Sequence, residues 1–497
     1  MRYFCIFFCL LLVGFAHAQV NIDRVEVPLN NANDEYHIIT LEEKGLLLFV
    51  QDEGSLFGNG QNWTITHYDT SMVELWAAPL TIKNGKLDFQ GFDVEDDKVY
   101  LYFQKYSRGE YSIVEVDPLR REVHEFELFS FKNMEYVDFK VIKGWAFILG
   151  NAKRTPMILH CQLNKQKRPV VNLLQNSFTK KSEVPSLAKD TVNQIINMTI
   201  NNWKGGKNHM VAKAYYPKGE TAFEIPLRHS TDKNLLNGHI TLTKYGKMLV
   251  IGTYSNRNSE YSDGLFIAEH NGQELAYVKF HNFASLNNFL NYMSEGKQGR
   301  IEKKLKKKKE KGKDLNLQYR LNVHELIQKK EQNIMIAEAY YPVYRTERVY
   351  DWYYGSRVYT YVRVFDGYEF THAMAAGFDQ KGNLTWDNSF ELDRVRYRYL
   401  RPVVRAGVRN DYIKLSYSFK GELRSKFIKG NDLVEEVSES EMATGHKADK
   451  IKRSFEDRLD YWFGNYFVAW GIQRIKNKEE GELKGKRNVF YFNKISF

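Results

Sequence analysis

Apolar and polar residues alternate along most of the chain in short segments that are rich in Val, Ile, Tyr, Phe and Thr. Gly, Asn and Asp separate these segments, which is typical of β-strands joined by tight turns. The turn signals recur at regular intervals and indicate a repeat architecture. The pattern predicts an all-β fold, a β-propeller of eight blades, with seven as the alternative count and a pair of β-sandwiches as the competing architecture. The predicted blades are 36–82, 86–128, 135–175, 190–227, 234–282, 317–393, 398–437, and 452–497 joined by 20–29.

The period changes between the fifth and sixth predicted blades, where apolar residues recur at helical spacing. The first helical run has one apolar face, made of Leu286, Phe289, Leu290 and Met293. A second run places Ile301 and Leu305 four residues apart, lysine fills most of the other positions, and Gly312 is a natural helix stop. Segment 284–316 is therefore predicted to be a lysine-rich helical insertion whose apolar stripe lies on the propeller.

One short repeat combines an apolar residue, an aspartate in a turn and a later tryptophan. Asp69 precedes Trp76 by seven residues, and Asp379 precedes Trp386 by the same interval. This pattern resembles the tryptophan-docking repeat of quinoprotein-type β-propellers, a family that includes quinone-dependent dehydrogenases and non-enzymatic envelope scaffold proteins. The resemblance implies a propeller in which Trp76 and Trp386 are largely buried and pack across blade boundaries.

A longer repeat indicates how the fold closes. The segments that begin at Val25 and Phe223 both read strand, Pro-Leu, polar loop, His-Ile, and then glycine before an apolar strand. The segment RVEVPL thus reads as an outer strand without a preceding blade, and the C-terminal segment RNVFYFNKISF can supply its partner. The N-terminal strand is therefore predicted to close the ring, which removes an exposed sheet edge.

The first eighteen residues have the features of a secretory signal peptide. Arg2 precedes an apolar run, and Ala16, His17 and Ala18 form a small-x-small cleavage site. Cys9 follows bulky apolar residues instead of the small residues of a lipoprotein signal. We expect residues 19–497 to be a single propeller domain that is exported to the periplasm or the extracellular space, soluble and without a lipid anchor.

Only Cys161 of the three cysteines remains after removal of the signal peptide. An internal disulfide is therefore not expected. Cys161 lies in an alternating strand pattern, which favours a buried structural thiol.

The positive charge of the chain is concentrated in one place. The formal net charge is +11, and residues 300–313 hold nine basic and two acidic residues, so +7 of it. The candidate binding residues there are Lys303, Lys304, Lys306, Lys307, Lys308 and Lys309. The segment reads either as a solvated helix whose charge limits aggregation or as a patch for an anionic lipid, lipopolysaccharide or acidic protein surface. Nucleic acid is a third partner class, which export and the absence of a nucleic-acid-binding signature disfavour.

The second candidate binding element follows the lysine segment. Residues 340–361 contain eight tyrosines, one tryptophan and three arginines, and RVYDWYYGSR reads as the tip of a long hairpin. Tyrosine, tryptophan and arginine predominate at binding hot spots, although tyrosine also fills ordinary exposed sheet. We expect an envelope protein or a glycan to bind this tip. The candidate residues are Tyr344, Arg345, Tyr350, Trp352, Tyr353, Tyr354 and Arg357.

The sequence contains no catalytic motif, no phosphate-binding loop and no metal-ligand spacing, so no cofactor or metal is expected. His324 and His372 lie on strand-like segments and read as structural histidines. A quinone-dependent dehydrogenase is disfavoured because the vicinal disulfide often found beside the quinone in that family cannot form with one cysteine.

The sequence therefore favours an exported, non-enzymatic propeller that acts as a binding or scaffold protein of the cell envelope. The alternative is a secreted propeller glycan hydrolase with carboxylates at the central funnel. Candidate funnel carboxylates are Glu338, Asp379 and Asp387.

Overall fold

The computed structural model describes residues 21–29, 34–52, 62–82, 87–174, 178–243, 246–257, 259–312, 317–329, 332–353, 356–409, 411–479, 481 and 483–496. The predicted signal peptide, residues 1–18, lies outside the described residues, and so does Tyr354. The described residues form eight antiparallel sheets of four or five strands, which are numbered 1 to 8 in chain order.

The N-terminal strand β1 (Asn21–Pro28) belongs to sheet 8, and the strands that follow build the sheets consecutively. Sheet 1 contains β2 (Glu35–Thr40), β3 (Leu46–Asp52), β4 (Asn62–Tyr68) and β5 (Glu74–Thr81). Sheet 2 contains β6 (Asp88–Glu95), β7 (Lys98–Lys105), β8 (Glu110–Asp117) and β9 (Glu122–Phe129). Sheet 3 contains β10 (Met134–Ile142), β11 (Trp145–Ala152), β12 (Thr155–Gln162) and β13 (Asn172–Leu173). Sheet 4 contains β14 (Ser182–Glu183), β15 (Ala188–Asp190), β16 (Ile195–Lys204), β17 (Lys207–Tyr215) and β18 (Thr221–Pro226).

The second half of the chain continues this arrangement, with longer strands in sheets 6 and 8. Sheet 5 contains β19 (Asn234–Leu242), β20 (Met248–Ser255), β21 (Gly264–His270) and β22 (Leu275–Asn282). Sheet 6 contains β23 (Arg320–Val323), β24 (Ile327–Lys329), β25 (Gln332–Tyr353), β26 (Ser356–Asp379) and β27 (Leu384–Tyr397). Sheet 7 contains β28 (Arg405–Arg409), β29 (Tyr412–Phe419), β30 (Glu422–Lys429) and β31 (Asp432–Glu441). Sheet 8 contains β32 (Asp449–Phe463), β33 (Tyr466–Asn477), β34 (Gly485–Ser496) and β1.

The middle strands of the sheets are buried on both faces. Every residue of β20 and of β21 is buried, and β8 is buried except at its first residue. Strands that are covered on both sides read as continuous apolar runs instead of alternating ones. Each sheet is therefore packed between two others, and the fold is an all-β propeller, as the sequence predicts.

Hydrophobic clusters join each sheet to the next in chain order. Phe49 and Trp63 of sheet 1 stack at 4.2 Å and meet Phe103 of sheet 2. An eighth cluster joins sheet 8 to sheet 1, where the rings of Tyr36 and Phe490 stack at 4.5 Å. The first and the last sheet are thus packed against each other like any consecutive pair.

Ion pairs between non-consecutive sheets identify segments that lie toward the centre. Lys189 Nζ on β15 lies 2.6 Å from Asp93 Oδ2 on β6, which joins sheets 4 and 2. Lys140 Nζ on β10 lies 3.4 Å from Glu325 Oε1 between β23 and β24, which joins sheets 3 and 6. These contacts link sheets that are not consecutive, so β6, β10, β15 and the connection from β23 to β24 lie near the propeller axis.

Strand β1 completes sheet 8 by antiparallel pairing with β34, from Asn21 opposite Ile495 to Pro28 opposite Val489. Arg24 anchors it: its guanidinium donates to Glu26 Oε1 at 2.8 Å and to Gln473 Oε1 at 2.9 Å. The sheet therefore contains strands from both ends of the chain.

The segment after sheet 5 forms one α-helix, α1 (Glu295–Lys309), which confirms the predicted lysine-rich helix. The prediction of a helical face from Leu286 to Met293 is wrong, because only short 3-10 turns form at Phe283–Ser285 and Phe289–Tyr292. The backbone amides of Asn287 and Asn288 donate to the carboxylate of Asp387 instead of entering a helix. Tertiary contacts here override the helical periodicity.

The repeat tryptophans pack across sheet boundaries. Trp386 is buried in the cluster between sheets 6 and 7, as predicted. Trp76 is only partly buried between sheets 1 and 2, and its Nε1 donates to the carbonyl of Pro118 at 3.0 Å. Cys161 is buried, as expected, and burial raises the pKa of its thiol to about 12.

We expect Trp386→Ala to lower the free energy of unfolding by about 3–5 kcal/mol, because it leaves a cavity between two sheets. Trp352→Ala is the matched control, since Trp352 is 66% exposed on the hairpin and should cost less than about 0.5 kcal/mol. Denaturant titration of both variants measures the difference. Equal costs would contradict the assigned role of Trp386 at the sheet boundary.

Candidate functional site

A two-stranded ribbon extends from sheet 6. Strand β23 pairs with β25 as far as Tyr340, and β27 pairs with β26 as far as Tyr368. Beyond these points β25 and β26 pair only with each other among the described residues. We name residues 344–353 and 356–365 the hairpin ribbon. Its ten residue pairs span about 33 Å at the usual rise of a β-strand.

The strand register places aromatic and arginine side chains together on one face of the hairpin ribbon. Tyr344 lies opposite Phe365, Tyr350 opposite Tyr359, and Trp352 opposite Arg357. Side chains on one strand alternate between faces, so the aromatic–arginine face consists of Tyr344, Thr346, Arg348, Tyr350, Trp352, Arg357, Tyr359, Tyr361, Arg363 and Phe365. All ten residues are exposed, and none is acidic.

Arginine and aromatic rings stack on each other along this face. The guanidinium carbon of Arg348 lies 3.5 Å from the ring centroid of Tyr359, and that of Arg363 lies 4.9 Å from the ring of Tyr344. Arg357 lies 5.5 Å from the ring of Trp352. Cation–π contacts orient side chains that are otherwise free in solvent, so the face is partly organised before any partner binds.

The opposite face of the hairpin ribbon carries valines. Val349, Val358 and Val362 are exposed there, at 36–44%. Arg345 also lies on this face and pairs with Glu347 at 2.5 Å. The register therefore separates Arg345 from Tyr344, Tyr350, Trp352 and Arg357.

Six residues of the aromatic–arginine face are not among the residues predicted from the sequence: Thr346, Arg348, Tyr359, Tyr361, Arg363 and Phe365. The period of two along each strand, with the turn at the predicted tip, is the signal that could have placed them together. Tyr353 ends β25 opposite Ser356, and Tyr354 lies outside the described residues.

The predicted lysines of α1 all point to solvent. Lys303, Lys304, Lys306, Lys307, Lys308 and Lys309 are exposed, and none forms an ion pair with another residue in the part of the chain that the structure describes. Ile301 and Leu305 are partly buried and pack against the cluster between sheets 5 and 6. The helix is thus held by its apolar stripe and presents a row of uncompensated ammonium groups.

The helix and the hairpin border the same cavity, which has a volume of about 480 Å³. Ser294 and Lys297 line it at the N-terminal end of α1, and Tyr341 and Glu369 line it at the base of the hairpin. A hydrogen bond from Tyr341, followed by one from Arg396, lowers the pKa of Glu369 and keeps it charged. The lysine-rich helix α1 and the aromatic hairpin are therefore neighbours on the molecule.

His372 lies behind this cavity as a structural histidine. Its ring is fully buried and stacks on Tyr292 with ring centroids 3.6 Å apart. Thr371 Oγ1 lies 3.0 Å from His372 Nδ1, whereas Nε2 has no hydrogen-bond partner among the described residues. Burial lowers the pKa of His372 to about 3.

The three predicted funnel carboxylates each accept hydrogen bonds from backbone amides. Glu338 Oε1 accepts from the amides of Val403 and Val404 at 2.7 and 2.6 Å. Asp387 accepts from the connection after sheet 5, as described above, and Asp379 accepts from Asn383 N in the turn before β27. These interactions share no partner, so the three residues act as separate anchors of the fold.

Among the described residues, no group of three or more His, Cys, Asp or Glu is arranged to hold a metal ion. No helix within the described ranges is long and apolar enough to span a membrane.

No family model and no curated protein matches the sequence. Among solved structures, the polysaccharide lyase Uly1 has a TM-score of 0.41 and 8% identity, over 82% of this chain and 89% of that chain. Oligopeptidase B from Leishmania major has a TM-score of 0.42 and 8% identity, over 90% of this chain and 54% of that chain. A prolyl endopeptidase has a TM-score of 0.37 and 10% identity, over 90% and 54%. This chain thus spans about half the length of either peptidase.

These likenesses are too low to carry an argument about activity, and the quinoprotein-type resemblance stays a prediction. The class of protein that the sheets and their order define is an all-β propeller. Two further elements accompany the propeller: the hairpin ribbon on sheet 6, and helix α1, which precedes that sheet in the chain.

We expect the free energy of unfolding to fall below about pH 6.5, where a histidine of the unfolded chain binds a proton that buried His372 does not accept. Stability then rises with pH across this range, because the unfolded state binds more protons than the folded state. His372→Phe keeps a ring against Tyr292 and removes this titration. Between about pH 7 and about pH 5.5 the wild type should lose about 1 kcal/mol more than the variant. Denaturant titration at both pH values measures the loss, and equal losses would contradict the buried neutral state.

Proposed function

We propose that the protein is an exported, non-enzymatic β-propeller of the cell envelope that binds an acidic protein partner through the hairpin ribbon. The observation that carries the proposal is the aromatic–arginine face, which combines six aromatic side chains and three arginines without one acidic residue. Aromatic residues and arginine contribute most of the energy at protein interfaces. The propeller supplies a rigid base for this surface.

The opposite face favours a protein over a glycan as the partner. Exposed valines offer apolar area to a protein side chain but little to a sugar, which stacks on flat rings. No further strand of the described residues pairs with either edge of the ribbon, and such edges accept an added strand. A protein can use both faces and an edge at once, whereas a glycan uses the aromatic face alone.

Charge supports an acidic partner. Residues 344–365 contain four arginines and two acids, for a net charge of +2. Lys297, at the N-terminal end of α1, lines the shared cavity at the base of the hairpin, and six exposed lysines follow further along the same helix. Complementary charge at this distance raises the rate of association and helps to fix the orientation of the complex.

A free two-stranded ribbon is marginally stable in water. The exposed aromatic and valine side chains of this ribbon therefore gain most when a partner covers them. This gain is a physical reason for the unusual length of β25 and β26.

Export rests on the sequence of the first eighteen residues. Fractionation of the native host should recover the protein in the envelope or the medium, with a mature chain that begins at Gln19. Recovery of the full-length chain in the cytoplasm would overturn this part of the proposal.

Charge reversal on the ribbon should abolish partner binding. A photo-crosslinking residue at Tyr361, which is 69% exposed, should trap one envelope protein in the native host. The double variant Arg348→Glu, Arg363→Glu should reduce the crosslinked product at least about tenfold, since each charged contact contributes about 1.5–3 kcal/mol.

The matched control is the double variant Arg409→Glu, Arg453→Glu, which changes two exposed arginines of sheets 7 and 8. It should leave the crosslinked product unchanged. Equal loss in both variants would mean that general surface charge is responsible. A crosslink to glycan instead of protein would overturn the choice of partner class.

Replacement of residues 297–313 with a short Gly/Ser linker should leave the thermal midpoint within a few degrees, because among the described residues 297–312 the hydrophobic side chains that pack on the core are Ile301 and Leu305. If the lysines recruit an acidic surface, the wild type should bind anionic vesicles at low salt and release them as salt screens the charge. The linker variant should not bind. Identical binding of both proteins would leave the lysines with a role in solubility only.

A further inference from the structure

A second cavity, with a volume of about 370 Å³, lies near the propeller axis. His37 on β2 and Phe92 on β6 line one side, and Arg458 on β32 lines another. Arg401, in the connection from sheet 6 to sheet 7, and Arg405 on β28 complete the charged wall. We name it the axial cavity. Its residues come from sheets 1, 2, 6, 7 and 8 and from a loop, so no sequence motif marks it.

Two of the three arginines lack a carboxylate partner. Arg405 is neutralised, because its Nε donates to Asp460 Oδ1 at 3.0 Å. Asp460 Oδ2 accepts from Trp470 Nε1 at 2.9 Å, so both oxygens of this carboxylate are used. Among the described residues, neither Arg401 nor Arg458 forms an ion pair.

The other acid in the wall faces away from the cavity. Asp457 is buried, and its carboxylate accepts from Gly421 N at 2.9 Å and Tyr491 OH at 2.8 Å. Only its backbone carbonyl turns toward the arginines, where Arg401 donates to it at 3.2 Å. Glu456 acts on Arg458 through space but does not line the cavity.

Arg458 is held in an unfavourable setting. Its Nε is buried without a hydrogen-bond partner among the described residues, and its guanidinium lies 4.7 Å from the ring centroid of Trp470. Burial, followed by repulsion from Arg401, lowers its pKa to about 10. A buried charge without a counter-ion is costly, and a bound anion would remove this cost.

The remaining wall is aromatic and uncharged. Phe92 is 42% exposed and Tyr461 is 38% exposed, although both lie on first strands of their sheets. Burial lowers the pKa of His37, so this ring is neutral at pH 7. A cavity with a few converging polar groups and apolar walls, at the lower end of the size range of ligand sites, suits a small molecule.

We propose that the axial cavity binds a small organic acid that carries a ring, with its carboxylate on Arg401 and Arg458 and its ring against Phe92 and Tyr461. Guanidinium groups pair with carboxylates through two parallel hydrogen bonds. The negative charge of Glu456 offsets part of the charge of Arg401 and Arg458, so about one positive charge remains to be neutralised. A monoanion matches this remaining charge better than a phosphate dianion does. The site is separate from the hairpin ribbon and goes beyond the proposed function.

Calorimetric titration of the whole protein tests the site with defined probes. The probes are glucuronate for a sugar acid, 4-hydroxybenzoate for an aromatic acid, glucose as the neutral ring, and inorganic phosphate. At least one of the two ring acids should bind in the millimolar range or tighter, and glucose and phosphate should bind at least about tenfold more weakly. The probe that binds more tightly shows whether the ligand is a sugar acid or an aromatic acid.

Two variants locate the binding. Arg458→Gln should weaken binding of the acid at least about tenfold, and Arg458→Lys should retain part of it. Arg409→Gln, an exposed change on β28 outside the cavity, should bind like the wild type. A thermal melt of each variant establishes that it is folded. Binding of neither acid at about 10 mM, tight binding of glucose or phosphate, or unchanged affinity in a folded Arg458→Gln variant would each overturn the proposal.

Discussion

The fold depends on one constraint: a four-stranded sheet that is apolar on both faces needs a neighbour on each side. Sheets 1 and 8 meet this requirement through the cluster around Tyr36 and Phe490, which packs them against each other. Without that contact, two apolar faces would meet water. Strand β1 adds hydrogen bonds to the same closing sheet, and Arg24 fastens it through contacts to both Glu26 and Gln473.

Many of the sheet boundaries can be predicted from the sequence, because Gly, Asn and Asp residues mark the turns between strands. The predicted blade 234–282 has the bounds of sheet 5, and the predicted blade 36–82 is shifted by one residue from sheet 1. The helical face from Leu286 to Met293 is absent, and the backbone amides of Asn287 and Asn288 donate there to Asp387, which lies a hundred residues after Asn287. The axial cavity was equally hidden, since no local spacing connects His37 with Arg458. The hairpin was found by composition, but its two faces required the register of β25 and β26.

Buried charges also take part in the architecture. Glu338 is fully buried and fixes the connection after sheet 6 through two backbone amides. Lys189 reaches from sheet 4 to Asp93 of sheet 2 and also donates to the carbonyl of Val94. Such hydrogen-bonded charges hold neighbouring segments in one arrangement, since removal of one partner leaves an uncompensated charge. The same environment makes the unpaired guanidinium groups of the axial cavity distinctive.

The hairpin ribbon is a continuation of two central strands, and this has a mechanical consequence. Within the sheet β25 is held by β23 and β24, and β26 is held by β27. A force that pulls the tip outward along the strands therefore loads these flanking hydrogen bonds in shear, many at a time, instead of peeling them one by one. A surface loop of equal length would stretch under the same load. The propeller can thus carry tension from whatever grips the tip directly into its core.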